Sequence, residues 1–311
     1  MKIGIIGTGN IAQAHGEAIK NVPNGSLEAI LSRNFETAQN FSQKWAGSKT
    51  KCYTNINEFL SDSAIDMVLV ASPDKLHYPQ VKKSLEAGKH VLSEKPFTTS
   101  VQESQELADI AKAKNLKLGI GFHLRQHNGH KKLKEILNQS SQKPRHLRAT
   151  WSWSAGDNSN WRAHPKVAKW WSLSGVGVHC IDISRWFLED FQDWDKAQVL
   201  IANNIWNGPH DETAIVAAQF QNGTTLGVTT SVQYKPYSRL ELFYEDKIVV
   251  CDETFGRHGG GKIFVDGEEV LYEQQNPFEN QIIDFIENEN IENNADVGVR
   301  SNKDLQAIIP S

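Results

Sequence analysis

Through its first third the chain alternates short apolar runs with amphipathic stretches. "KIGIIG" is apolar, and "NIAQAHGEAIKNV" carries its apolar positions at helical spacing. "SLEAILS" is apolar again and "NFETAQNFSQKWA" helical again, followed by a short strand-like "KCYTN". "AIDMVLVAS" is a nearly continuous apolar run, the signature of a strand buried on both faces. "YPQVKKSLEAGK" is helical and stops on Gly88, "HVLSEKP" is a strand, "VQESQELADIAKAKN" a helix and "LKLGIGF" a further strand. Repeated strand–helix units predict a parallel sheet with helices on both faces.

After residue 122 the rhythm changes. "RHLRATWSWS", "KAQVLIANNIW", "ETAIVAAQFQNGTTLGVTTSVQY", "RLELFYEDKIVV" and "KIFVDGEEVLY" contain period-2 stretches, and "QNGTT" and "VDGEE" are hairpin signals. The expectation is an α/β dinucleotide-binding (Rossmann) domain over 1–122, then an α+β domain over 123–311 with a large, mainly antiparallel sheet. "HCIDISRWFL" and "NPFENQIIDFIENEN" read as helices, the latter free to pack back on the first domain. The Asn/Glu-rich "ENENIENNAD" reads as a solvated connection.

Composition narrows the partners. A chain of 311 residues, 39% hydrophobic and 23% charged, has the balance of a globular protein. Its net charge of -4 lacks the basic excess that a nucleic-acid partner calls for. No apolar run reaches the roughly 20 residues of a membrane helix, and "MKIGIIG" is too short and glycine-rich for a signal peptide. Cys52, Cys180 and Cys251 are too scattered for a disulfide framework or a metal pair, so a reducing cytoplasm is expected. His123, His127 and His130 lie in "HLRQHNGHKKLK" without metal-ligand spacing, so this stretch is expected to be a solvated basic helix with no metal.

Two stretches carry chemistry. "GTGNIA", residues Gly7, Thr8, Gly9, Asn10, Ile11 and Ala12, joins the first strand to the first helix. Gly7 permits a tight turn, Gly9 a close approach of backbone to a pyrophosphate, and Ala12 close helix–sheet packing. Where NAD would call for a carboxylate at the end of the second strand, the chain has Ser32, Arg33 and Asn34. That chemistry favours the 2'-phosphate of NADP, with NAD the alternative. "SEKPF" ends the fifth strand and "ASPDKLH" follows the fourth, both at the carboxyl edge where open α/β sheets bind ligands. Lys95 there can bond a reacting oxygen and trade its proton.

With "GTGNIA", "SPDKLH", "SEKP", "NWRAHP", "GVGVHCID" and "DETAIVAAQFQNGTT" together, the chain resembles the glucose–fructose oxidoreductase / inositol dehydrogenase (Gfo/Idh/MocA) family. The resemblance implies an NAD(P)-dependent dehydrogenase or reductase of sugars, polyols or related carbonyls. It also implies a homo-oligomer formed through the open face of the second-domain sheet. It makes Lys95 and His179 the groups that handle the proton, with Asp182 orienting His179 or touching substrate. It gives Glu94, Ser72, Pro73 and His77 to the cofactor surroundings, and Trp161 and Arg162 to cofactor contact. Arg125 is a candidate for substrate. Outside this pattern His179 would read as a buried structural histidine, and the tryptophans, five of nine between 151 and 171, as core.

The family pattern has a glycine triplet before the histidine and an aspartate four residues ahead of it. This chain has Lys169, Trp170 and Trp171, and Gly175. The expected wall is therefore indole, with Trp170 and Trp171 facing a flatter or less hydroxylated substrate; the alternative is that both point into the core and another segment supplies the acid. The alternatives are a non-catalytic NADP-binding regulator, and a hydrolase or lyase with a trapped cofactor.

Overall fold

The computed structural model describes residues 1–47, 50–139, 141–190 and 192–308. The chain divides into two compact units, 1–123 with 278–299, and 124–277 with 300–311. In the first, β1 (Lys2–Ile6), α1 (Asn10–Ile19), β2 (Ser26–Leu31), α2 (Phe35–Trp45), β3 (Lys51–Tyr53), α3 (Ile56–Ser61), β4 (Met67–Val70), α4 (His77–Glu86), β5 (His90–Ser93), α5 (Val101–Ala113) and β6 (Leu118–Ile120) follow one another. Among the described residues the six strands form a parallel sheet in the order β3-β2-β1-β4-β5-β6. The unbroken apolar run of β4 is buried at all four positions, because parallel sheets are covered on both faces. Asn34 caps α2 by accepting the Thr37 N–H, and Ser100 caps α5 by accepting the Glu103 N–H.

The second unit holds α6 (Asn128–Leu137), β7 (His146–Ser154), α7 (Val178–Leu188), β8 (Lys196–Ala202), β9 (Thr213–Gln219), β10 (Thr225–Ser231), β11 (Gln233–Phe243), β12 (Ile248–Asp252), β13 (Lys262–Val265) and β14 (Glu268–Glu269). Among the described residues these strands make an eight-stranded sheet, β14-β13-β12-β11-β7-β10-β9-β8. The β7–β10 pair is parallel and the other neighbours are antiparallel. β9 alternates buried and more open positions, as a sheet with one covered face requires. α7 is buried at all eleven positions, its polar His179, Asp182, Ser184 and Arg185 included. This is the expected fold class: a parallel Rossmann-type sheet followed by a mainly antiparallel one.

Two local expectations need correction. The stretch "HLRQHNGHKKLK" is not solvated: His123, His127 and His130 are all buried. His123 stacks on Phe278 at 4.5 Å. His130 spans the Leu124 carbonyl and the Thr254 hydroxyl, 2.8 Å from each. Polar partners inside the fold make burial of these imidazoles tolerable. "ENENIENNAD" likewise does more than connect. Ile291 and Asn293 are buried, Asn294 bridges Gly119, and the Asn293 carbonyl accepts the Ile120 N–H at 2.7 Å. The segment thus satisfies β6 as an edge strand. It follows α8 (Pro277–Glu287), whose Phe278, Ile282 and Phe285 join the core around Ile3, Ile5 and Leu27. A last helix, α9 (Ala295–Ile308), was not legible in the sequence pattern.

Candidate functional site

The chemistry of the first unit collects at the carboxyl ends of β1, β4 and β5, adjacent strands in the sheet. Gly7 turns there with φ +107°, and a Cβ on it would stand 2.5 Å from the Ala71 carbonyl oxygen. Only glycine fits both demands. A Cβ on Gly9 would meet nothing within 4 Å, so the approach to the start of α1 is open. Gly9 is also the N-cap, and no side chain caps the helix. Thr8 is half-buried, Asn10 exposed and Ala12 fully buried under α1. An uncapped helix start offers backbone N–H groups and positive dipole to an anion, which is what a pyrophosphate needs.

The loops after β4 and β5 are tied to each other. The His77 ring spans from the Ser72 carbonyl, at 2.8 Å, to the Pro96 carbonyl, at 2.7 Å. The Ser72 hydroxyl donates to Gln80 at 2.6 Å, and Pro73 precedes the turn that leads into α4. Glu94 and Lys95 are both buried. Glu94 Oε1 lies 2.8 Å from His15 Nε2, and the Lys95 N–H reaches Glu94 Oε2 at 3.2 Å. Burial pushes the Glu94 carboxyl up, but the His15 hydrogen bond and the charges of His15, Lys95 and His123 outweigh it and hold it at about 2. A Cβ on Gly121 would stand 2.9 Å from Glu94 Oε1, so that glycine makes room for the carboxylate.

At the end of β2 the Ser32 hydroxyl lies 2.7 Å from Thr37 Oγ1 and 3.4 Å from Thr8 Oγ1. Arg33 and Asn34 are exposed beside it. Three hydroxyls, a guanidinium and the start of α2 therefore share one sheet corner.

In the second unit, His179 is buried on α7 with its ring 5.4 Å from that of Trp151. Asp182, one turn on, forms a bidentate pair with Arg125, Nε to Oδ2 at 2.9 Å and Nη2 to Oδ1 at 2.6 Å. Arg125, a substrate candidate on sequence grounds, thus serves Asp182 in a fully buried pair. A π-helical turn, Leu173–Gly177, leads into α7, and such turns recur at functional sites. Gly175 lies in it half-buried, its nearest outside atom for a Cβ being Trp153 Nε1 at 3.8 Å. Trp161 and Arg162 sit on a short 3-10 turn, the guanidinium 4.1 Å over the indole. Trp170 and Trp171 are both buried; Lys169 lies 4.6 Å over the first, and the second stacks on Trp206 at 5.0 Å.

Sequence reasoning passed over His15, Thr37 and Asp211. His15 occupies a buried position of α1 among Ala12, Ala18 and Ile19, and a histidine on an apolar helix stripe was the available signal. Asp211 accepts the Trp171 and Leu173 N–H groups and the Ser172 hydroxyl, each at 2.7 Å. Burial pushes its carboxyl up against the pull of those donors. Nothing local in "PHDET" announces that role.

Residues 1–122 match the family described as an oxidoreductase family with an NAD-binding Rossmann fold, and residues 130–250 match the GFO/IDH/MocA C-terminal domain. Myo-inositol 2-dehydrogenase of Thermotoga maritima is 28% identical over 86% of this chain and 75% of its own length. An uncharacterised oxidoreductase of Schizosaccharomyces pombe is 38% identical, but the match spans only 39% of this chain and 33% of that protein. Among solved structures, the 3-ketoreductase KijD10 of Actinomadura kijaniata in complex with NADP and TDP-benzene superposes with a TM-score of 0.88. It is 20% identical and covers 99% of this chain and 96% of its own.

Proposed function

Because the chain belongs to the GFO/IDH/MocA oxidoreductase family over both matched regions, we propose that it interconverts a hydroxyl and a carbonyl on a sugar-like or cyclic polyol substrate with a nicotinamide cofactor. The cofactor, when bound, supplies or accepts the hydride. The residues present fit it: the open, uncapped start of α1 after Gly7–Gly9 suits a pyrophosphate. Ser32, Arg33 and Thr37 suit a 2'-phosphate better than a free 2'-hydroxyl, which favours NADP over NAD. Lys95 bonds the reacting oxygen and gives or takes its proton, and His179 is the second proton-handling group. Glu94, held ionised, keeps a negative charge next to the lysine.

One observation carries this reading. The glycine turn, the Ser72–His77 loop and the Glu94–Lys95 pair stand in one row at the carboxyl edge of β1, β4 and β5. Fluorescence titration with NADPH and NADH tests the cofactor. Tighter NADPH binding is expected, with Ser32→Asp reversing the preference. Equal or tighter NADH binding by the wild type would refute the NADP assignment, and no binding of either would refute the enzyme. Gly175 in place of an aspartate favours a second reading, a cofactor-binding regulator without turnover. Steady-state assays on myo-inositol, glucose and cyclic ketones separate the two, since a regulator turns over none of them.

A further inference from the structure

A cavity of about 370 Å³ lies wholly within the second unit, lined by Asn158, His164, Trp171, Trp206, Asn207 and His210 with neighbouring glycine, alanine and proline positions. That volume is at the small end of the roughly 300–1,000 Å³ of small-molecule pockets. Its two indoles are stacked, with centroids 5.0 Å apart and planes at 25°. Each is also gripped through its backbone by one of two consecutive buried carboxylates. Asp211 accepts the Trp171 N–H at 2.7 Å, and Glu212 accepts the Trp206 N–H at 2.8 Å and the Ile205 N–H at 3.0 Å. The Asn203 amide donates to the Gly208 carbonyl at 2.7 Å and closes the loop between them. The aromatic wall is therefore held before anything binds, which lowers the entropy cost of binding.

The lining also selects. Among the described residues the cavity wall contains no Lys, Arg, Asp or Glu, so a phosphate or carboxylate would enter without a counter-charge. Two asparagines and two histidines supply both donors and acceptors, while the indoles cover apolar C–H faces. Trp171 is 2% exposed and closes the inner side of the cavity.

The geometry points to a binding site for the ring of an uncharged saccharide, with its hydroxyls toward the asparagines and histidines of the wall and the ring's C–H face against the Trp206 side. Binding here is told apart from binding at the site proposed above by its dependence on Trp206 and Asn158 of the cavity wall. Saturation-transfer NMR on the full-length protein with D-glucose, N-acetyl-D-glucosamine and maltose tests it, with thymidine monophosphate as the charged, flat-ring comparison. At least one saccharide is expected to bind saturably, about tenfold or more weakly in Trp206→Ala. Asn158→Asp, at an exposed lip position, should also weaken binding and guards against a fold defect in the tryptophan variant. Absence of saturable binding, or insensitivity to both cavity variants, would overturn the site. Equal, Trp206-dependent binding of thymidine monophosphate would overturn the ligand class.

Discussion

A carboxylate buried beside a lysine needs a donor, and for Glu94 that donor is His15, 2.8 Å away and carried by a different element. Replacing it by His15→Leu leaves the charge without that bond. The expected loss is about 1.5–3 kcal/mol, the worth of a hydrogen bond to a charged group, read from urea unfolding at neutral pH. An unchanged midpoint would contradict it. The sign with pH follows from the depressed carboxyl. Its stabilisation is fully present above the ordinary value of 4.5 and is lost as pH falls toward about 2. Glu94→Gln should flatten that part of the acid-unfolding curve. At Lys95 the effect belongs to turnover. Lys95→Met should bind cofactor normally but lose on the order of a hundredfold or more in kcat. A near-normal rate would remove Lys95 from the chemistry and strengthen the regulator reading.

At the scale of elements, α7, buried at every position, and its π-helical entry frame His179 and Asp182. The Arg125–Asp182 pair fastens the 3-10 turn at 123–126 to that helix, so removing either partner would strand a buried charge. Gly175 is different, since a side chain there has only ordinary contact to make. Gly175→Asp is expected to leave stability within about 1 kcal/mol, because glycine is a poor helix residue and an acid near a helix start is favourable. It should also raise kcat/KM on myo-inositol relative to the wild type, by returning a carboxylate that accepts substrate hydroxyls. A large fall in Tm, or no change in selectivity, would show that the turn has no room or that the position faces no substrate.

Across the molecule, the eight-stranded sheet leaves apolar side chains in the open. Leu200 and Ile215 are directly paired across β8 and β9, 65% and 46% exposed. Contiguous exposed apolar surface marks an interaction site, and we propose that a second copy of the chain covers this pair. Ile215→Glu should then convert the assembly to monomer in size-exclusion chromatography with light scattering. An unchanged mass would place any assembly elsewhere. Among the described residues no helix is long and apolar enough to cross a membrane.

Local pattern was enough for the parallel sheet and its glycine turn. Strand and helix periodicities, and the φ that Gly7 must adopt, are properties of neighbouring residues. The same pattern pointed to Ser32–Arg33 and Glu94–Lys95, because each lies at the end of a strand whose period is legible, whereas His179 was singled out only by the family resemblance. It could not reach the pairings that join distant stretches. His15 meets Glu94 across 79 positions, Arg125 meets Asp182 across 57, and Asp211 grips Trp171 across 40. It also read "HLRQHNGHKKLK" and "ENENIENNAD" as solvated from their polarity, whereas the fold buries parts of both by giving their polar atoms partners. Burial of a polar side chain depends on which donor or acceptor arrives from elsewhere in the chain, and only the tertiary structure decides that.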